Sequence, residues 1–411
     1  MTNTEVLIIG AGPAGATAAI HAAQAGFSTL LIDAKRFPRD KTCGDGLTPR
    51  AIKQLQSLGL AEAVCGRYTS HGLKLHGYGS SATVPWPESE FGTVGSAMPR
   101  LEFDQLLLTH AASYEQVTVK YSAAVGVELT GNRITSVALN DGTQVLPQYV
   151  IVADGVRSTF GKLLGRTWHK GEVYGIAARS YCTTPLSAEP WIHSHVELRD
   201  QAGVIQPGYG WIFPLGNGNA NVGCGALSTD KRPAKINTKK VLEHYAAAMN
   251  NQWNFGHPQQ ITSALLPMGG AVSNVAGSNW MLIGDAAACV NPLNGEGIDY
   301  GMETAALAVA ALDPGKDFTL LWPDILRRHY GEAFLLARTA ARLLTYPQFL
   351  PLVGPVGLKL FMPTAARLMG NLVTDADRDT VARLWRSAGR IMDRFNNAPP
   401  VSYTHLRAHE T

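Results

Sequence analysis

The segment Glu5–Asp33 constrains the fold more than any other part of this 411-residue chain. A short apolar run from Glu5 to Ile9 leads into Gly10-Ala11-Gly12-Pro13-Ala14-Gly15, then an alanine-rich helical stretch to Ala25, then FSTLLIDA, a second apolar run that ends at Asp33. Strand, glycine turn, helix, strand and acid, with the acid 23 residues after Gly10, is the order of a dinucleotide-binding βαβ unit. Gly10 allows the tight turn, Gly12 lets the backbone approach a pyrophosphate, and Gly15 lets helix and strand pack closely. The helix N-terminus then faces the phosphates, and the Asp33 carboxylate accepts from a ribose hydroxyl.

Two later sites belong with this unit. YVIVADGVRSTFGKLLG, residues 149–165, reads as a buried strand ending at Asp154-Gly155 before a turn and a helix. WMLIGDAAACVNPLNGEGIDYGMETAALAVAAL, residues 280–312, reads as a strand ending at Gly284-Asp285, a glycine-rich loop and a long helix. Asp285 at a strand end is placed to accept from hydroxyls of a ligand. Asn294-Gly295-Glu296-Gly297 presents backbone N–H groups at a helix start, where negative charge is favoured. The motif MPRLEFDQLL adds Arg100 on the first turn of another helix.

Between these sites the chain changes character. From Glu172 to about Met268 it is strand-like, apart from the helical TKKVLEHYAAAMN. PGYGWIFPLGNGNANVGCGALS reads as a hairpin. Tyr209, Trp211 and Phe213 alternate and share one face, while Gly223 and Gly225 on the returning strand leave a lane between walls. An aromatic-filled hairpin core is the competing reading.

Composition narrows the partners. Lys and Arg number 35 against 32 Asp and Glu, a net +3 that speaks against nucleic acid and against a polybasic membrane anchor. Charged residues make up 16% of the chain, where soluble domains carry roughly 25%, and that favours an apolar ligand or a membrane surface. The five cysteines form no CxxC pair, so neither a disulfide framework nor a zinc site is expected, and a reducing cytosol is the expected home. The C-terminal third is helical, with an uncharged run from Leu343 to Leu358 that is too short to span a bilayer and is interrupted by Pro347, Pro351 and Pro355. A membrane-apposed or lipid-lining segment fits it, with an inter-helix core as the alternative. Residues 401–411 follow a Pro-Pro stop without periodicity and are read as a non-native tail.

The glycine turn followed by a DG turn and a GD turn resembles the FAD-binding pattern of the flavoprotein hydroxylases and reductases. DKTCGDG, YGWIFPLGNGNANVG and GDAAACVNPLNGEGIDYGMETA together resemble the geranylgeranyl reductase family, which saturates isoprenoid double bonds, and within it the branch that acts on menaquinone. The relatives' SNLVTD is read here as GNLVTDADRD. The resemblance runs from Val6 to about Arg394. It implies an α/β fold: a Rossmann-type FAD-binding domain (1–70, 96–168 and 275–315), interleaved with an antiparallel-sheet substrate domain (71–95 and 169–274), then membrane-apposed C-terminal helices (316–400). It implies FAD contacts from Gly10, Gly12, Pro13, Ala14, Gly15, Asp33, Cys43, Gly44, Gly46, Arg100, Ala124, Asp154, Asp285, Gly297 and Ile298. It implies a substrate slot at Tyr209, Trp211 and Phe213, a prenylquinone or other polyprenyl lipid as substrate, and a cytoplasmic protein peripheral to the inner face of the cell membrane. No second nicotinamide fingerprint is visible, so the electron donor stays open.

In that family the cysteine of the loop lies over the flavin ring, which makes Cys43 a catalytic candidate beside Tyr209 and Trp211. Thr48-Pro49 starts a helix after the loop, and Gly44 and Gly46 are expected to allow the tight backbone beside the ring. An isoprene double bond is unconjugated, so a hydride cannot add without protonation first or together with it. Protonation builds positive charge on the tertiary carbon, which aromatic faces stabilise. Cys43, Tyr209 or a water held by either supplies the proton, with a purely structural thiol as the alternative. Other readings are a geranylgeranyl-lipid or geranylgeranyl diphosphate reductase, an FAD-dependent aromatic monooxygenase, and a non-catalytic lipid carrier.

Overall fold

A computed structural model describes residues 1–346, Phe349, Leu352, Arg383, Leu384, Arg386, Ser387, Ala388 and Ile391. The remainder of the apolar C-terminal run, GNLVTDADRD and the 401–411 tail lie outside the described residues.

Five strands pair in parallel in the order Val117–Tyr121, Thr29–Asp33, Thr2–Ile9, Gln144–Val152 and Trp280–Leu282. Strands covered on both faces read as unbroken apolar runs, which is why every residue of Thr29–Asp33 and of Val6–Ile9 is buried. The Gln144–Val152 strand forks. Val150 to Val152 run beside Trp280–Leu282, while Gln144 and Val145 pair antiparallel with Arg133–Leu139, itself in a hairpin with Ala124–Thr130.

Helix Pro13–Gln24 lies against helices Ile298–Ala310 and Arg100–Ala112. Small residues let two helix starts meet: a Cβ added at Gly284 or Gly301 would stand 3.1 or 3.3 Å from the Ala14 Cβ. Helix Phe318–Leu344 is fastened to this unit by Trp322, whose indole N–H donates to the Leu282 carbonyl at 2.8 Å.

A second sheet runs in the order Gln259–Pro267, Tyr174–Thr183, Asn219–Ser228, Gly208–Pro214, Ile192–His195, Gly72–Gly77 and Ser80–Pro85. All pairs are antiparallel except Ile192–His195 with Gly72–Gly77. Period-two alternation splits its residues between two environments. Ala178, Ile212, Val222 and Cys224 pack under helix Thr238–Trp253 with Val241, Leu242 and Tyr245. The alternate set, Arg179, Trp211 and Gly223, stands side by side in register on the opposite face, which looks into a cavity shared with the parallel sheet.

Candidate active site: one cavity between the two sheets

A cavity of about 1620 Å³ joins the carboxyl ends of the parallel strands to the open face of the second sheet. Ordinary ligand sites hold roughly 300–1,000 Å³, so this space accommodates a dinucleotide and a second, apolar molecule. Gly10, Gly12, Pro13, Ala14, Asp33, Cys43, Gly44, Gly46, Arg100, Ala124, Asp154, Asp285, Gly297, Ile298, Tyr209, Trp211 and Phe213 all line it. Gly15 does not. It sits behind the turn, where an added Cβ would lie 1.7 Å from the Gly10 carbonyl oxygen, so its task is packing.

At the dinucleotide end, Gly10 has φ +102°, and a side chain there would strike the Ala153 carbonyl at 2.4 Å. Helices Pro13–Gln24 and Ile298–Ala310 start at Gly12 and Gly297 with no side-chain cap from these glycines, and both starts line the cavity, where a helix N-terminus favours an anion. The Asp154 Oδ1 is buried without a hydrogen-bond partner among the described residues, in a side chain that lines the same space, and burial raises the pKa of this carboxyl. An orphaned acceptor and two uncapped helix starts fit a diphosphate flanked by hydroxyl-bearing groups.

Asp33 is more committed than its motif implies. Its Oδ2 accepts from the Ala11 N–H at 2.9 Å and from Arg39 Nη2 at 3.4 Å, and its Oδ1 accepts from the Lys35 N–H at 2.9 Å. A carboxylate has about four acceptor positions, so one remains for a hydroxyl. Asp285 pairs with Lys41 Nζ at 2.9 Å across the cleft. Neither Arg39 nor Lys41 stands out in the sequence, because each is one cation in the basic stretch KRFPRDK.

Arg100 is tied back to its own helix. Its guanidinium grips Asp104 through Nε and Nη2 at 2.5 and 2.8 Å, both side chains buried. Burial works against its charge, yet Asp104 and the adjacent Cys43 thiol hold its pKa above the usual value. Its free side therefore faces the cysteine.

The Cys43 loop is fastened from the sheet. Asn221, fully buried, donates through Nδ2 to the Cys43 carbonyl at 2.9 Å and to Asp45 Oδ2 at 2.8 Å, and its Oδ1 accepts from the Trp211 indole N–H at 2.9 Å. Asp45 Oδ2 also accepts from the Tyr181 hydroxyl at 2.7 Å, and Oδ1 from the Arg100 N–H at 3.3 Å. The Asp45 N–H in turn meets Cys43 Sγ at 3.4 Å. Asp45 is fully buried at φ +64°, and burial pushes its pKa up to about 6 although Tyr181, Asn221 and two arginines oppose the shift. Asp45, Asn221 and Tyr181 escape sequence reasoning; the only available sign was an acid set between two glycines in CGDG.

The glycines of this loop also have a packing reason that the sequence did not show. A Cβ at Gly44 or Gly46 would stand 3.0 or 3.1 Å from the Phe213 ring, so both residues make room for that ring beneath the loop. The expected open lane over Gly223 is also filled. The Trp211 indole lies across it, and a Cβ at Gly223 would be 2.1 Å from that ring. Tyr209, Trp211 and Phe213 form a tilted row with centroids 5.8 and 6.1 Å apart. The Tyr209 hydroxyl donates to the Asn294 carbonyl at 2.6 Å and is pushed up in pKa by burial, so its proton is engaged at the cavity wall.

A parallel sheet with an uncapped glycine turn, joined by one cavity to an antiparallel sheet with an aromatic face, defines a flavoprotein oxidoreductase. The FAD binding domain family matches residues 3–313. The chain is 49% identical to menaquinone reductase of Mycolicibacterium smegmatis over 98% of its own length and all of the relative's. It is 31% identical to digeranylgeranylglycerophospholipid reductase 1 of Methanothermobacter thermautotrophicus, covering 82% of this chain and 83% of that one. A geranylgeranyl bacteriochlorophyll reductase-like structure from Thermoplasma acidophilum superposes with TM-score 0.72 at 19% identity, over 96% of this chain and 100% of that one, which shows the shared fold. This chain belongs to the geranylgeranyl reductase family of FAD-dependent oxidoreductases.

Proposed function

We propose that this protein saturates an isoprene double bond in the prenyl side chain of menaquinone, and that the residues at the glycine-turn end of the cavity hold its FAD. The near full-length, 49% identity to a menaquinone reductase carries this reading. FAD, when bound, supplies the hydride equivalent.

The chain's own groups do the rest. Gly10, Gly12 and the helix starting at Pro13 receive the pyrophosphate, and Asp33, Asp154 and Asp285 take hydroxyls. Cys43 holds the proton for the less substituted alkene carbon. The Tyr209 hydroxyl is already bonded to Asn294, which favours the Cys43 thiol on the same cavity wall over the tyrosine as that acid. The Asp45 N–H and Arg100 face the sulfur as donors and steady it once its proton has gone. Tyr209 and Trp211 present ring faces to the positive charge on the tertiary carbon, worth about 0.5–2 kcal/mol each when desolvated. Phe213 backs the Cys43 loop.

The apolar tail enters from a lipid surface. Supporting this, Leu343, Phe349 and Leu384 line the cavity while Leu352 and Leu384 are 81% and 66% exposed. No helix among the described residues is long and apolar enough to cross a membrane.

The test is anaerobic single turnover of FAD-loaded, pre-reduced protein with menaquinone, following the saturated product by mass. Only saturation of the side chain counts, because the quinone ring itself can oxidise reduced flavin. Cys43→Ala is expected to slow product formation roughly 100-fold or more, the low end for a lost general acid, and Cys43→Ser to fall between. Product formed only from a geranylgeranyl glycerophospholipid would transfer the activity to that lipid class. Parent-rate saturation by Cys43→Ala with full FAD content would make the thiol structural.

A further inference from the structure

Arg179 lies in the central strand Tyr174–Thr183, in register with Gly223 and, one strand further, with Trp211. Its guanidinium is therefore on the cavity face, and its side chain is 1% exposed. It rests on the Tyr181 ring, with Cζ 4.5 Å from the centroid. Nη2 is bonded to the Asp40 carboxylate and to the Lys41 carbonyl, the latter at 3.3 Å. Nε and Nη1 are buried and have no hydrogen-bond partner among the described residues. A buried donor left without an acceptor is destabilising. Here two donors of one rigid fork are left open on the wall that holds the row of aromatic rings.

The charge around this fork selects the acceptor. Asp40 already balances the Arg179 cation. The cations that flank the same loop are also balanced, Lys41 by Asp285, Arg100 by Asp104, and Arg39 by Asp33 and Asp104. A diphosphate here would bring several negative charges toward Asp40 and Asp45, while Arg179, Lys41, Arg100 and Arg39 each already hold a carboxylate. A neutral carbonyl oxygen, with two lone pairs and a flat ring to stack beside aromatic side chains, matches both the open donors and the charge.

We propose that Arg179 anchors the substrate's head group by donating to a carbonyl oxygen of a prenylated quinone ring, and thereby sets which isoprene unit reaches Cys43 and Trp211. This deepens the proposed function and rests on it. The ring is held at the sheet, and the chain is threaded from that fixed point past the aromatic row. Arg179 touches the head group and not the reacting carbons, so it is a positioning residue.

The test uses FAD-loaded parent, Arg179→Met and Arg179→Lys proteins in single turnover. The probes are a short-chain menaquinone, a hydrocarbon with the same isoprene chain and no ring, and the corresponding prenyl diphosphate. Arg179→Met is expected to raise the half-saturating menaquinone concentration on the order of tenfold or more, to leave turnover of the hydrocarbon unchanged, and to spread saturation over several isoprene units as read by fragment masses. Arg179→Lys, which keeps the charge against Asp40 but lacks the fork, should lie between, and it carries the test alone if the Met variant loses its flavin. Equal losses on menaquinone and hydrocarbon, loss of flavin from the Lys variant as well, or a parent preference for the diphosphate that Arg179→Met abolishes would each overturn the anchor. A parent protein that saturates none of the probes would refute the prenylquinone reading, and the anchor with it.

Discussion

Asn221→Ala isolates the lock between the sheet and the Cys43 loop. Asn221 makes three hydrogen bonds at full burial: to the Cys43 carbonyl, to the Asp45 carboxylate, and from the Trp211 indole. Truncation leaves the Cys43 carbonyl and the Trp211 indole N–H unmatched and takes one of three hydrogen bonds from the buried Asp45 carboxylate. Such groups cost about 1–3 kcal/mol each, with the carboxylate toward the upper end. Relaxation and entering water return part of this, so a net loss of about 3–4 kcal/mol is expected. With an unfolding entropy near 2.1 cal/mol/K per residue, 411 residues give about 0.86 kcal/mol/K, and the midpoint should fall by about 4 °C.

The loss is local, so flavin content should hold while turnover drops, because Trp211 and Cys43 lose the group that spaces them. Thermal unfolding of the holoprotein, flavin absorbance after desalting, and single-turnover saturation measure the three effects. Asn221→Asp sharpens the test. It keeps an acceptor for the indole but places a second carboxylate against Asp45, so it should be worse than Asn221→Ala above pH 6 and recover as the pair takes up a proton. A midpoint shift below 1 °C with parent turnover for Asn221→Ala would refute the lock.

Asp45→Asn should change how stability varies with pH. The native carboxyl titrates near 6 against 3.8 unfolded, so between these values the native state keeps a proton that the unfolded chain has released, and stability falls as pH rises through that window. The difference in unfolding free energy between parent and Asp45→Asn should drop by about 2 kcal/mol from pH 4 to pH 7, and a flat difference in denaturant titrations would contradict it. Gly223→Ala places a methyl 2.1 Å from the Trp211 ring, which should displace the indole at about 1–3 kcal/mol and slow saturation without flavin loss; unchanged tryptophan fluorescence and rate would count against it. Asp285→Ala removes an acceptor from the dinucleotide end and the partner of Lys41, so FAD affinity by titration of apoprotein should weaken by about 1–3 kcal/mol, and parent affinity would remove Asp285 from the cofactor site.

The βαβ unit was legible in the sequence because its signals are local. A glycine turn needs its glycines within six residues, and period-two alternation places Tyr209, Trp211 and Phe213 on one face whatever surrounds them. The cofactor end was legible for the same reason, since phosphates are received by backbone groups whose position follows from strand, turn and helix.

Contacts made over long separations were decided by tertiary packing alone. Asp45 meets Tyr181 and Asn221, 136 and 176 positions away, and Arg179 meets Asp40 across 139. No periodicity marks these residues, because their function comes from which strands become neighbours and how deeply water is excluded. The same holds for the glycines of CGDG and for Gly223. Their presence was visible in the chain, but their reason is the Phe213 and Trp211 rings that the fold brings against them. An acid between glycines reads as a surface turn until burial turns it into the charged centre of a lock. Sequence alone thus determined the backbone frame and the faces of its strands; only the meeting of the two sheets decided which of those faces holds the chemistry.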